Sequence, residues 1–290
     1  MVKEVTLTSL FDLEVIEQGL YRGQSWDLGF RALYGGQVLG QSVMAAYKTV
    51  ESNRIIHSFH SYFLLPGNAS LPVVYDVENV RDGRSFSTRR IKAIQNGKTI
   101  FYMTASFQIM EQSKLNHQLG ELPDVPAAET LDQDIALFLA NNKNIPAHLE
   151  QALAYHKPVD IRTVDASNSL SNNKQNPSRK IWLKSRERLS QEDIALHQAA
   201  LAYASDYHFL STSLLAHGIS PMDKRLIIAT IDHAMWFHRP FSFDDWLLYS
   251  IESPSSGNGR AFVSGKIYDK HGVLVASTTQ EGLVRLKNED

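Results

Sequence analysis

The two ends of this sequence carry the same succession of predicted elements, and this duplication constrains the fold more than any other feature. Residues 35–108 begin with a helix-like stretch after a Gly-Gly pair and continue with three or four strand-like segments. Residues 190–286 repeat that order, and the closing hairpins at 95–98 and 270–273 match best. The duplication predicts one pseudo-symmetric body in which an active site needs to survive in only one copy.

Composition narrows the class of protein. With 290 residues, 43% hydrophobic and 21% charged, the chain has the make-up of a globular protein with one large domain or two ordinary ones. A formal net charge of −2 gives no electrostatic reason to expect nucleic acid or an anionic membrane as a partner. The absence of cysteine excludes disulfides, thiol nucleophiles and cysteine-ligated zinc. Without a signal-peptide pattern, a long apolar run or a Ser-Lys-Leu terminus, the sequence predicts a cytoplasmic protein.

Proline positions and composition divide the chain into three predicted parts. The N-terminal unit spans residues 1–110, a linker spans 111–157, and the C-terminal unit spans 158–290. The linker carries modest helical patterns at 131–140 and 147–155.

Local signals predict the elements of the first unit. A short helix is expected near residues 6–12, and a second helix follows Gly35 and Gly36. The run 55–65 is so apolar that it predicts a strand buried on both faces. Asn96 followed by Gly97 between apolar runs is a strong hairpin signal. Further strands are expected at 13–24, 73–81 and 85–95.

The second unit is predicted to contain one dominant helix. It runs from about Gln191 to Ala216 and ends at His217 and Gly218. Before it, strands are expected near 159–166 and 180–187, with a polar loop between them. The strands of the repeated sheet follow it.

A long, mostly apolar helix lying across a curved antiparallel sheet is the hotdog arrangement. Two copies in one chain predict an α+β double hotdog. Small side chains would let the second helix lie close to the strands, and it carries four at Ala199, Ala200, Ala202 and Ala204. Two separate α+β domains are the alternative, but they leave the matching order of elements unexplained.

Three polar residues stand out because their surroundings are apolar. Asp206 is predicted to lie inside the second long helix, where a carboxylate is costly unless it is paired or used. Thr230 and Gln280 lie in predicted strands. The sequence has no nucleophile elbow, P-loop, dinucleotide fingerprint or His-Glu-x-x-His zinc site. A satisfied internal hydrogen bond is the alternative for each residue, but in a hotdog unit the three can converge on one water.

Nine sequence stretches resemble the type II acyl-CoA thioesterases, a double-hotdog family. In the first unit they are YRGQS (21–25), GGQVLGQ (35–41), HSFHSYFLLPG (57–67), RDGRSFSTRR (81–90) and AIQNGKTIFYMTASFQ (93–108). In the second they are YASD (203–206), ATIDHAMWFHRPF (229–241), WLLYSIES (246–253) and GVLVASTTQEG (272–282). They cover most of both units but not the linker.

The resemblance implies hydrolysis of a fatty acyl-CoA to the free acid and coenzyme A. It places the family's catalytic aspartate, threonine and glutamine on Asp206, Thr230 and Gln280. Asp206 would act as general base, and the other two would hold the attacking water. Partial desolvation of Asp206 would help by raising its pKa. The helix after Gly35 contains no carboxylate, so the first unit is expected to shape the site without running the reaction.

Four further residues are predicted substrate contacts. His60 lies in one of the matching motifs, while Arg84, Arg89 and Arg90 belong to the densest basic cluster and could bind coenzyme A phosphates. A solvated strand surface with a salt bridge to Asp82 is the alternative for the cluster.

The remaining expectations concern metals, partners and competing functions. His57 and His60 should face opposite sides of a strand, so no metal site or cofactor is expected. His233 and His238 are predicted to have core or rim roles. Pairing of exposed sheet edges across subunits predicts a homodimer or homotetramer. The competing functions are a hotdog enoyl-CoA hydratase or dehydratase and a non-catalytic acyl-CoA-binding module. The first would need a histidine close to Asp206, and His208, two residues away, would point elsewhere on a helix.

Overall fold

One antiparallel sheet forms the framework of the protein. The structure is a computed structural model that describes residues 6–28, 32–134, 136–137, 158–164 and 173–287. Within these ranges thirteen strands belong to the sheet, and no helix is long and apolar enough to cross a membrane. The helical pattern predicted at 147–155 lies outside the described residues, as do residues 135 and 138–140 of the one at 131–140.

The first half of the chain follows its predicted pattern closely. Thr6 caps a short helix through its hydroxyl, which accepts from the Ser9 N–H. Asn96 and Gly97 both have positive φ, as a tight hairpin turn requires. The elements are α1 (Leu7–Phe11), β1 (Glu14–Glu17), β2 (Leu20–Gly23), α2 (Gly35–Tyr47), β3 (Arg54–Phe63), β4 (Val73–Asp82), β5 (Phe86–Gln95) and β6 (Lys98–Ile109).

The second half repeats this order, with short 3₁₀ helices at Ala128–Thr130 and Leu210–His217. Its other elements are β7 (Val159–Thr163), β8 (Ser178–Ser185), α3 (Ile194–Ala204), β9 (Leu226–Thr230), β10 (Asp232–Phe237), β11 (Leu247–Gly257), β12 (Arg260–Tyr268) and β13 (Leu274–Leu286).

The single helix predicted from Gln191 to Ala216 is wrong. The α-helix ends at Ala204, and a turn separates it from the 3₁₀ helix. His208 in this turn has φ of +58°, which an α-helix cannot accommodate. The predicted end at Gly218 is confirmed, because this residue adopts the left-handed conformation that caps the 3₁₀ helix.

The strand order displays the duplication directly. The first half of the sheet runs β2-β4-β5-β6-β3, and the second continues as β10-β13-β12-β11-β8. Each strand on this path therefore has its counterpart in the other half, in mirrored order, whereas β9 pairs with β13 off the path and has none among the described strands. With α2 and α3 packed together, this is the predicted double hotdog.

The two halves meet at a seam between β3 and β10. Tyr62 pairs with Asp232 and Ser58 with Trp236, so the edges of the two units are hydrogen-bonded to each other within one chain. The homodimer or homotetramer was predicted because exposed sheet edges need a partner. At this seam the partner is the other unit of the same chain, and the oligomer remains a prediction. The expectation that β3 is buried on both faces is wrong, because Tyr62 is 45% exposed and His60 is also exposed.

Glycines set the distance between α2 and α3. An added Cβ on Gly36 would lie 2.2 Å from the Tyr203 carbonyl oxygen, and one on Gly40 would lie 2.9 Å from the Ala199 carbonyl oxygen. Ala199 and the other three alanines singled out in the sequence are completely buried, as expected. The helices therefore touch backbone to backbone, and this contact brings the first turn of α2 to the end of α3.

Gly36→Ala is expected to destabilise the protein, although alanine is the better helix former by about 1 kcal/mol. The methyl group meets a backbone oxygen that cannot rotate away, and overpacking of this kind costs about 1–3 kcal/mol. Thermal unfolding should show a lower Tm than wild type.

Gly257→Ala is the matched control, because a Cβ there meets nothing within 4 Å. Its Tm should equal or slightly exceed that of wild type. A Gly36→Ala variant as stable as wild type would refute the close packing of α2 on α3.

Candidate active site

Asp206 lies in the turn that follows α3, not inside a helix as the sequence predicted. Its carboxylate reaches across to the first turn of α2, where the Gly36 N–H donates to Oδ2 at 3.0 Å. N–H groups at a helix N-terminus carry partial positive charge and favour a carboxylate. The first unit therefore holds the carboxylate of the second.

Two opposing effects set the pKa of Asp206. Burial raises it to about 6, while hydrogen bonds from the Gly36 N–H and the Gln280 side chain favour the ionised form. Burial also raises the pKa of the surrounding phenols, so these stay neutral: Tyr34, Tyr203, Tyr207 and Tyr249. The expectation that desolvation raises the pKa of Asp206 is confirmed.

Gln280 and Thr230 are neighbours on adjacent strands. Thr230 ends β9 and pairs with Gly282 of β13, which places its hydroxyl beside the Gln280 side chain. Gln280 Nε2 donates to Thr230 Oγ1 at 2.9 Å, and the Gln280 side chain also bonds Asp206. The structure thus brings the three predicted residues together around one amide.

His233 is a fourth polar residue in this cluster. It is fully buried on β10, with Nδ1 2.7 Å from Gln280 Oε1 and Nε2 3.0 Å from Ser205 Oγ. Burial lowers the pKa of His233 to about 4, so its ring is neutral at neutral pH. The predicted core role matches its burial but misses its contact with Gln280. A signal was present, since His233 shares an inward-facing position with Met235 in an apolar strand.

The corresponding end of the first unit has no counterpart of Asp206 on its helix. Tyr47 ends α2, accepts the Ile56 N–H at 2.9 Å and is hydrogen-bonded to Gln198. A cavity of about 220 Å³ lies at this end of the seam; its lining is largely apolar but includes three histidines, His57, His197 and His238, together with Glu111 and Arg239. The Tyr47 hydroxyl donates to the Gln198 side chain, and α2 holds no carboxylate.

The predicted substrate contacts lie elsewhere. His60 is exposed on the face of the sheet opposite the helices, with its ring against Trp236 at 5.1 Å between centroids. Arg90 is exposed and pairs with Glu78 at 3.2 Å. Arg84 is exposed in the turn between β4 and β5. The structure does not bring these residues to the Asp206 cluster.

Arg89 is a structural residue. Its side chain is 2% exposed, and its five N–H groups are directed at Thr49, Asp82 and the carbonyl oxygens of Arg81 and Thr88. The salt bridge to Asp82 considered for this cluster is present at 2.7 Å. Its guanidinium therefore does not face a coenzyme A phosphate.

The other histidines have local partners. His57 Nε2 lies 2.8 Å from Ser106 Oγ, and His208 contacts Asp134 at 2.8 Å and Arg179 at 3.0 Å. The Asp–His pair of a hydratase is therefore not formed by His208 with Asp206. Among the described residues no group of His, Asp and Glu side chains has the arrangement of a metal site.

Comparison with known proteins agrees with this architecture. Residues 23–108 match the family model of the acyl-CoA thioesterase N-terminal domain, and residues 149–283 match that of acyl-CoA thioesterase. Acyl-CoA thioesterase 2 of Haemophilus influenzae is 39% identical over 279 residues, which are 96% of each chain. Mouse acyl-coenzyme A thioesterase 8 is 39% identical over 99% of this chain and 91% of its own.

A solved structure extends the similarity to three dimensions. The acyl-CoA thioesterase II TesB2 of Mycobacterium marinum superposes with a TM-score of 0.78 at 37% identity, covering 98% of this chain and 99% of its own. Full-length similarity in both sequence and fold leaves neither unit unmatched. The chain therefore belongs to the type II acyl-CoA thioesterase family, and it is a thioester hydrolase that acts on acyl-CoA.

Proposed function

We propose that Asp206, Thr230 and Gln280 carry out this hydrolysis by activating one water molecule, without a covalent intermediate. The observation that carries the proposal is the convergence of a carboxylate, a hydroxyl and an amide from three separate elements. A pKa of about 6 leaves Asp206 ionised at neutral pH and makes it a stronger base than an ordinary aspartate.

The steps follow from the chemistry of these groups. Asp206 accepts a proton from water while the water oxygen bonds to the thioester carbonyl carbon, and the carbonyl oxygen takes up the negative charge. Thr230 and Gln280 orient the water for this attack. Collapse of the tetrahedral intermediate breaks the C–S bond and releases the coenzyme A thiolate, which takes a proton as Asp206 gives its own up. The products are the free acid and coenzyme A.

The finer details are also proposals. Fatty acyl groups are the expected substrates, and Arg84 and Arg90 are proposed phosphate contacts because they are exposed cations. His60 is retained as a weaker candidate contact, since it lies on the opposite face of the sheet from Gln280.

A serine mechanism is the second candidate, favoured by one observation. Ser205 Oγ lies 3.0 Å from His233 Nε2, a distance suited to a nucleophile and its base. Two features oppose it. Ser205 is fully buried with its hydroxyl also on the Ala202 carbonyl oxygen, and a histidine with a pKa of about 4 is a poor base.

Asp206→Asn is expected to lower kcat by about 10²- to 10⁴-fold, because the amide cannot accept the proton of the water. Thiol release from a panel of acyl-CoAs measures the rate, and calorimetric titration with a non-hydrolysable analogue should show retained binding. Asp232→Asn is the matched control: its side-chain oxygen can still accept the Glu281 N–H, and it should keep near wild-type rate. Equal activity of Asp206→Asn and wild type would refute the general-base role.

The rate should depend on pH through Asp206. The reactive form is the carboxylate, so kcat/KM should rise as pH increases through about 6 and level off above it. A profile from pH 4.5 to 8.5 with a substrate that does not titrate in this range measures the midpoint. A flat profile, or a fall across this range, would contradict the assignment.

Ser205→Ala separates the two mechanisms. Loss of one hydrogen bond to His233 should cost at most about tenfold in kcat, whereas loss of a serine nucleophile costs about 10⁶-fold. Steady-state rates are sufficient for this comparison. The serine mechanism would be favoured if Ser205→Ala lost nearly all activity and if mass spectrometry detected an acyl-enzyme in the wild type but not in the variant.

A further inference from the structure

The Gln280 side-chain amide has a hydrogen-bond partner at each of its two ends. A carboxamide has a donor end and an acceptor end, and rotation by 180° exchanges them. In the structure the donor end faces Thr230 at 2.9 Å, and the acceptor end faces His233 Nδ1 at 2.7 Å. The partners of both ends therefore decide which group faces the Asp206 carboxylate.

The contact with His233 selects one orientation. A neutral imidazole carries one N–H, and only an N–H on Nδ1 can be donated to the Gln280 oxygen. Nε2 is then an acceptor for the Ser205 hydroxyl at 3.0 Å, which also lies 2.8 Å from the Ala202 carbonyl oxygen and directs its one proton to Nε2 in this tautomer. The reversed amide would direct its oxygen at the carboxylate of Asp206 and lose the bond from His233.

Packing holds the His233 ring in place. It is stacked on Phe59 with an interplanar angle of 20° and lies edge-on to Phe209 at 5.5 Å between centroids. The backbone is held as well, because the His233 carbonyl oxygen accepts the Ser61 hydroxyl at 2.7 Å. A ring fixed in this way presents its Nδ1 to one point only.

We infer that His233 is a positioning residue for the hydrolysis: its Nδ1–H holds the Gln280 amide with the NH₂ group towards Asp206 and Thr230. This inference rests on the proposed function, in which that NH₂ group orients the attacking water. His233 itself is fully buried, and its two ring nitrogens face Gln280 and Ser205.

Loss of the Nδ1 donor has two expected effects. A Gln280 amide free to rotate misplaces the water, so kcat falls while KM, which reflects acyl-CoA binding, changes little. The carboxylate also loses a donor that lowers its pKa, so the acid limb of the kcat profile moves to higher pH. The titratable side chains around Asp206 are the buried phenols of Tyr34, Tyr203, Tyr207 and Tyr249, whose raised pKa values keep them neutral over this pH range.

His233→Asn and His233→Leu form the test pair. Asparagine and leucine have the same number and branching of side-chain heavy atoms, although leucine is the larger, and neither has a ring to make the contacts with Phe59 and Phe209. Only asparagine places an N–H group where Nδ1 lies. If the role were purely structural, leucine would be the better tolerated of the two in this buried position.

The inference predicts the opposite order in the rate of thiol release. His233→Leu should lose about 10²-fold in kcat with little change in KM, and its acid limb should move to higher pH. His233→Asn should retain most of the kcat and the wild-type pH profile. Leucine as active as asparagine, or equal losses with unchanged profiles, would overturn the inference.

A measurement on the wild type keeps the inference testable if both variants fail to fold. In ¹⁵N-labelled protein, the His233 ring, assigned through its contacts with Phe59 and Phe209, should show its proton on Nδ1. A proton on Nε2 would overturn the inference. Failure of the proposed function is distinguishable, because it would be seen as a fully active Asp206→Asn variant, whatever the order of the His233 variants.

Discussion

The backbone contact between α2 and α3 is the constraint on which the rest of the structure depends. Without side chains at Gly36 and Gly40, the two helices approach until one backbone meets the other. This approach carries the N-terminus of the first helix to the turn that holds Asp206, where the Gly36 N–H binds the carboxylate. The site thus belongs to both units, although only the second supplies its acid-base group.

The environment of Asp206 is a balance between burial and hydrogen bonding. Burial alone would hold the carboxyl protonated, and a helix N-terminus with several donors would make it a weak base. One N–H from Gly36 and one amide from Gln280 leave the pKa at about 6. A base in this range is ionised at neutral pH and still accepts a proton readily.

Divergence of the two units is visible at the two ends of the helix pair. At one end Asp206, Gln280 and His233 form a connected polar network. At the other end, Tyr47 and Gln198 bond each other and the backbone of Ile56, which makes that end structural. Duplication therefore allowed one copy to keep acid-base groups while the other supplies a helix N-terminus.

The sequence predicted those features that depend on local patterns or on repetition. Asn96-Gly97 gave the hairpin, and the duplicated order gave the double hotdog. Asp206, Thr230 and Gln280 were found because polar residues in apolar stretches are unusual. Their meeting point followed from the fold, since no local signal links residues so far apart.

The features that were missed depend on tertiary contacts. The residues from Ile194 to Ala204 are mostly good helix formers, but the helix ends there, the carboxylate of Asp206 bonds α2, and His208 has a positive φ. His233 lies 47 residues from Gln280, so their contact has no local signature. In the sequence Arg89 is indistinguishable from its neighbour Arg90. Because successive side chains of a strand point to opposite faces, Arg90 is exposed while Arg89 is buried and pairs with Asp82.

The central claim is that Asp206 takes a proton from water and does not attack the thioester itself. Single-turnover hydrolysis in H₂¹⁸O, with enzyme in excess over acyl-CoA, tests this directly by mass spectrometry of the acid and of the peptide containing Asp206. The account predicts one ¹⁸O in the acid and none in the peptide. An unlabelled acid together with ¹⁸O in Asp206 would contradict it, because the acid oxygen would then have come from the carboxylate.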